Sequence, residues 1–127
     1  GGITFGPRNS RDWSLKMNRS AFRKALFTVL TDKAADKKLV VVDKIDTTAK
    51  TKELAARLSA LAAKAGLGKK YALVLAGPDK SLQQAGRNLA AAKILYANQL
   101  NVMDLLKYDP IIVADALPVI EKTYLQK

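Results

Sequence analysis

A chain of 127 residues, 49% apolar and 26% charged, is long enough for one packed domain and too apolar to stay disordered. It holds no cysteine and no histidine, which excludes disulfides, zinc–thiolate centres, thiol nucleophiles and the side chain most used for proton transfer near neutral pH. A net charge of +11 and an isoelectric point near 10.0 favour polyanionic partners; with no apolar run near the ~18 residues of a membrane span and no signal-peptide pattern, nucleic acid is preferred to a membrane.

The first 24 residues, GGITFGPRNSRDWSLKMNRSAFRK, carry six cations (Arg8, Arg11, Lys16, Arg19, Arg23 and Lys24) against one acid, Asp12. Gly1, Gly2, Gly6 and Pro7 keep the opening out of regular structure, and Phe5, Trp13 and Phe22 are interleaved with the cations. Cationic side chains neutralise phosphates and flat rings stack on unpaired bases. Residues 1–17 therefore read as a basic arm, and 18–127 as a single α/β domain. Trp13 has two further readings, an anchor of the arm on the domain and a protein contact.

Helical spacing begins after Asn18, a good N-cap, and runs to about Ala35, with Phe22, Ala25, Leu26, Val29 and Leu30 on the core stripe. Phe27 falls off the stripe and is expected to pack under the arm or to face a partner. Four continuous apolar runs follow: Leu39–Val42, Tyr71–Ala76, Lys93–Tyr96 and Ile111–Val113. Continuous rather than alternating runs predict strands covered on both faces, in a mostly parallel four-stranded sheet with helices on either side, a three-layer α/β fold.

Between the runs, Thr51 is the expected N-cap of a second helix, with Leu54, Leu58, Leu61 and Ala65 buried and Gly66 as its left-handed stop. A third helix is expected over Ser81–Leu89 through Leu82, Ala85 and Leu89. Asn101 is suited to cap a fourth, Val102–Lys107, which must end before Pro110. Asp115 is suited to cap the last, with Pro118 tolerated in its first turn.

Ligands of open parallel sheets collect at the carboxyl ends of the strands, here Asp43, Asp46, Gly77-Pro78-Asp79, Asn98 and Asp115. Carboxylates without histidine, cysteine or a phosphate loop offer at most a magnesium site, and Asp after a strand is commonly a turn or cap residue. The Gly-x-Gly of AGLGKK (Ala65 to Lys70) precedes a strand, whereas a dinucleotide loop follows one. No catalytic residue, metal site or cofactor is expected, and no small-molecule substrate.

The residues form an ordered pattern. GGITFGPRNSRDWSLKMNRSAFRKAL, then LVVVD (Leu39 to Asp43), KTKEL (Lys50 to Leu54), GKKYALVL (Gly68 to Leu75) and GRNLAAAKILYANQLNVMDLLKYD (Gly86 to Asp109) together resemble the bacterial-type large-subunit ribosomal protein L-four family. The resemblance covers essentially the whole chain and places its start at the exit from the family's long central loop, with Gly2, Phe5, Gly6 and Pro7 as the loop exit. The family's N-terminal portion and most of its Arg/Gly-rich loop would precede the residues present.

The resemblance implies a structural constituent of the large ribosomal subunit, in the cytoplasm of a bacterial-type cell or in an organelle matrix. Its implied partners are large-subunit ribosomal RNA and neighbouring ribosomal proteins. The expected RNA-binding residues are Arg8, Arg11, Trp13, Lys16, Arg19, Arg23, Lys24, Arg87, Asn88, Asn98 and Asn101, the last two also readable as turn and cap residues. Two competing readings are an α/β nucleotide-binding domain or enzyme built around Asp43, Gly77 and Asn98, and a protein-docking module using Phe27 and the final helix.

Overall fold

The four apolar runs become four strands of one parallel sheet in the computed structural model, which describes residues 1–45 and 50–125. They are β1 (Val40–Val42), β2 (Tyr71–Leu75), β3 (Ala92–Tyr96) and β4 (Asp109–Val113), in the order β1-β4-β2-β3. All three pairings are parallel, so the sheet is wholly rather than mostly parallel. Every residue of β2 and β4 is buried and both strands are central, whereas β1 and β3 carry exposed positions and form the edges. Lys93, exposed on β3, suits an edge, where charge discourages further strand pairing.

The helices are α1 (Arg19–Ala35), α2 (Thr51–Ala65), α3 (Lys80–Gly86), α4 (Val102–Lys107) and α5 (Ala116–Ile120). Pleating sends alternate β2 residues to opposite sides. Ala72 and Val74 join Leu26 of α1, Leu105 of α4 and Ile120 of α5 in one cluster. Tyr71, Leu73 and Leu75 join Leu54 and Leu58 of α2 and Leu82 and Ala85 of α3 in the other. The expected layers, helix–sheet–helix, are present.

Several local expectations are corrected. Neither Asn18 nor Asp115 makes a side-chain capping bond, and the N-cap of α2 is Lys50 rather than Thr51. On α1, Ala25 is exposed while Phe27 is half-buried against the first cluster rather than under the arm. Phe27 lies three residues before Leu30, about 60° round the helix, so the stripe is wider than the strict spacing implies. On α2 the third buried residue is Ala62, with Leu61 and Ala65 only half-buried, because the buried stripe follows the i, i+4 row Leu54, Leu58, Ala62 and Ala65 is the last residue of the helix. The α3 helix stops at Gly86, and Leu89 reaches the second cluster from the following loop. A Cβ on Gly86 would collide with Ile94 Cδ1, so this glycine is where α3 comes closest to β3.

Pro110 lies inside the central strand β4, extending it two residues before the expected start. Asp109 N–H donates toward β2 (Lys70 O, 3.0 Å) and Ala114 N–H toward β1 (Val42 O, 2.8 Å). Alternation aims the Pro110 nitrogen toward β1, below its first paired residue, Val40, where no ladder bond is lost. After α5 the chain continues as a wider π turn over Glu121–Leu125. That turn seats the Tyr124 hydroxyl to accept from Leu100 N–H at 3.0 Å, with its ring 6.3 Å from that of Phe22.

Candidate nucleic-acid interface

Residues 1–18 form no helix or strand, and Arg8, Arg11 and Lys16 are exposed. Asp12 accepts from Ser14 N–H at 2.8 Å and from its hydroxyl at 2.7 Å, a local turn. The Ser14 hydroxyl, then its amide, hold the Asp12 carboxyl below the ordinary carboxylate range, so the segment's one acid stays ionised but committed to that turn. The Arg11 guanidinium lies 4.2 Å over the Trp13 ring. Trp13 is 73% exposed, as are the flanking apolar side chains Leu15 and Met17 in large part. Trp13 therefore does not anchor this segment on the sheet domain, and its open face is available to a planar partner.

The segment enters α1 at the end of the molecule where the strands finish. There Arg19, Phe22 and Arg23 of α1 border a shallow hollow completed by Thr123 and Tyr124. Lys24 is exposed one turn further along. Asn98 and Asn101 lie at this same end, in the 3₁₀ turn Ala97–Gln99 and at the start of α4. Asn98 is exposed. Asn101 is occupied as a cap: its Oδ1 accepts from Asp104 N–H at 2.7 Å and its Nδ2 donates to Asp104 Oδ2 at 2.8 Å. The Lys93 ammonium, 2.6 Å from Asp104, and Asn101 hold that carboxyl below the ordinary value.

Arg87 and Asn88 are exposed but belong to the opposite end, in the loop that leads from α3 into β3. The expected RNA-binding residues are thus divided between two ends of the domain. The second end also carries Lys37 and Lys38 before β1, Lys69 and Lys70 before β2, and Lys107 before β4, all exposed. Sequence reading passed over these lysines, although each pair directly precedes an apolar run: KKLVVV and KKYALV.

Asp109 organises that end. Its buried carboxylate accepts from Lys33 Nζ at 2.7 Å and from Gly68 N–H at 2.8 Å, tying the end of α1 and the loop before β2 to the start of β4. A Cβ on Gly68 would stand 2.9 Å from Asp109 Oδ2, so any larger residue there would have to displace the carboxylate.

The strand carboxyl ends hold little chemistry. Ile45, Leu75, Gly77, Asp79, Leu82, Val113 and Asp115 line a crevice of about 170 Å³ between β2 and β4, below the ~300 Å³ at which small-molecule sites begin. Asp79 caps α3, accepting from Ser81 N–H at 2.9 Å and Leu82 N–H at 3.2 Å. Asp43 is exposed, and Asp46 lies outside the described residues. Among the described residues no group of three potential ligands gathers to hold a metal, and no helix is long and apolar enough to cross a membrane.

Residues 1–123 match the ribosomal protein L4/L1 family. The chain belongs to that family. Similar proteins include the large ribosomal subunit protein uL4 of Clostridium acetobutylicum, 38% identical over 126 residues, and that of Thermoanaerobacter pseudethanolicus, 36% identical over 127. The uL4 of Synechococcus sp. strain CC9311 is 40% identical over 128 residues. In each case 98% of this chain and 58% of the relative are covered, so the chain spans rather more than half the length of these proteins. The relatives are named as ribosomal proteins, not as enzymes.

Proposed function

We propose that this chain is a structural, non-catalytic component of the large ribosomal subunit that binds ribosomal RNA. Residues 1–17 act as a cationic arm and 18–127 as the domain that holds the arm in place. The observation that carries the reading is the exposed segment that bears Arg8, Arg11 and Lys16, with the Arg11 guanidinium over an exposed Trp13 ring, in a chain of the L4/L1 family. Guanidinium and ammonium groups neutralise phosphates, and an arginine-backed indole offers a stacking platform to an unpaired base.

Arg19, Arg23 and Lys24 extend this footprint along α1, with Asn98 adding a polar contact at the same end. Asn101 contributes through the backbone geometry that it caps. Arg87 and Asn88 meet RNA separately, from the other end. Gly2, Phe5, Gly6 and Pro7 form the exit from a longer loop that reaches toward the peptide exit tunnel in the whole protein, where the domain assists subunit assembly beside neighbouring ribosomal proteins. The setting is the ribosome of a bacterial-type cytoplasm or of an organelle.

Binding to a bacterial large-subunit rRNA transcript, measured from 50 to 300 mM salt, tests the reading. Affinity falls with a log–log slope of roughly −0.7 to −0.9 per phosphate neutralised, and Arg8→Ala with Arg11→Ala flattens the slope by about one to two units. An unchanged slope removes the arm from the interface. Reproducible stabilisation by a nucleotide with magnesium, without RNA binding, would support the enzyme reading instead.

A further inference from the structure

We infer that the amino-terminal end of the sheet is a second RNA-backbone-binding surface, separate from the arm and built from Lys37, Lys38, Lys69, Lys70, Arg87 and Lys107. The inference rests on the RNA-binding reading above and adds to it a site on the far side of the domain.

The first support is topological. Each of the four strands is entered from a segment that bears an exposed cation, and the sheet order sets these side by side: Lys37-Lys38 before β1, Lys107 before β4, Lys69-Lys70 before β2, Arg87 before β3. With neighbouring strands ~4.8 Å apart, the row is on the order of 15 Å wide, several phosphate spacings of a polynucleotide strand. The α1 helix runs between the two ends, and its 17 residues make the arm's root and the lysine rim roughly 25 Å apart, so one bound phosphate cannot serve both.

The second support is that the rim is held in shape. Asp109 accepts from Lys33 and Gly68 and so fixes the loops that carry the lysines; of the rim, Lys38 also feels acidic neighbours, Asp36 first, then Asp109 and Asp32. Asp36 contacts Lys38 at 2.9 Å in an exposed pair, which solvent weakens. Lysines in a last helical turn serve the helix dipole, and Lys33 and Lys107 are so placed. Lys69 and Lys70 lie three and four residues past Gly66, clear of the last turn of α2, and have no such structural duty.

The third support is Lys37 itself. Both α1 and α2 end at this side of the sheet in the same hydrogen-bonded stop. Lys37 N–H reaches Ala34 O and Lys38 N–H reaches Lys33 O, as Gly66 N–H reaches Ala63 O and Leu67 N–H reaches Ala62 O. The left-handed residue is glycine in one case (Gly66, φ 67°) and lysine in the other (Lys37, φ 58°). A side chain with a Cβ is disfavoured there, and glycine is the usual occupant. A lysine at that position costs the fold something, and phosphate binding is a reason to keep it.

The test uses the full chain and the rRNA transcript of the preceding experiment. Lys37→Gly is expected to melt at the same or a higher temperature while binding RNA two- to five-fold more weakly at 100 mM salt. Combining it with Lys38→Gln, Lys69→Gln and Lys70→Gln is expected to flatten the salt slope by about two to three units. A control of equal charge loss, Lys44→Gln, Lys52→Gln, Lys80→Gln and Lys122→Gln, is expected to flatten it by less than one. An unchanged slope in the rim variant, with the Arg8/Arg11 variant still flattened, overturns the rim and leaves the arm. Equal flattening in the control overturns it too, since net charge then suffices. A wild-type chain that ignores the transcript at 50 mM salt yet binds phosphatidylserine vesicles overturns both the rim and the RNA-binding reading.

Discussion

Replacing Asp109 by Ala removes the one carboxylate that joins α1, the loop before β2 and the start of β4. The side chains of Lys33 and Asp109 are only 12% and 10% exposed, and their ion pair is 2.7 Å long. Deleting one partner of a buried pair strands the other charge and costs about 3–5 kcal/mol. The flexible lysine stem can swing its ammonium toward water, which places the expected loss near the lower bound, about 3 kcal/mol. Gly68 N–H adds little, since its residue is exposed and water can replace the lost acceptor. For a chain of this size about 3 kcal/mol lowers the melting temperature by roughly 10–15 °C. Far-UV circular dichroism is the appropriate probe, because the single tryptophan sits in the exposed arm and is blind to the core. Adding Lys33→Met to Asp109→Ala is expected to recover part of the loss by removing the stranded charge. A single variant within about 0.5 kcal/mol of wild type, or a double variant less stable than the single one, would refute the reasoning.

Tyr124→Phe leaves the Leu100 N–H in a buried setting without its acceptor and is expected to cost about 1–3 kcal/mol in urea unfolding. Asp104, held below its ordinary value of 3.8 first by the Lys93 bond, stabilises the fold above that pH, and the contribution disappears as pH falls through the lower folded value. Asp104→Asn should therefore flatten the stability–pH curve below about pH 4 and lower stability at pH 7 by about 1 kcal/mol, measured by thermal melts. Trp13→Ala is expected to leave the melting temperature unchanged while weakening RNA binding by about 1–3 kcal/mol, with wild-type tryptophan emission quenched on binding. Emission unaffected by RNA would exclude stacking.

The strands were legible because burial on both faces writes a continuous apolar run, and β2, the most deeply buried, is the plainest of them. Helices were legible from period and stops, Gly66 above all. Errors gathered where a neighbour rather than the local sequence decides. Asn18 and Asp115 have capping chemistry but point elsewhere, Ala62 displaces Leu61 because the sheet selects the buried face of α2, and Leu89 packs without being helical. Of the candidate interface, the arm was visible as a charge cluster within 24 residues. The lysine rim was not, because its members are up to 70 residues apart in sequence and meet only through the strand order.

By itself, then, the chain's sequence determined the layered α/β class, the positions of its strands, the absence of thiol and imidazole chemistry and the cationic opening segment, and its ordered motifs resemble the ribosomal family to which it belongs. These are properties of composition and of contacts between near neighbours. The tertiary structure alone decided that β4 inserts between β1 and β2, that Asp109 is engaged by Lys33 and Gly68, and that cations from four separate loops line the amino-terminal end of the sheet. The reason is that parallel pairing joins segments distant along the chain, and no local pattern records which of them will lie side by side.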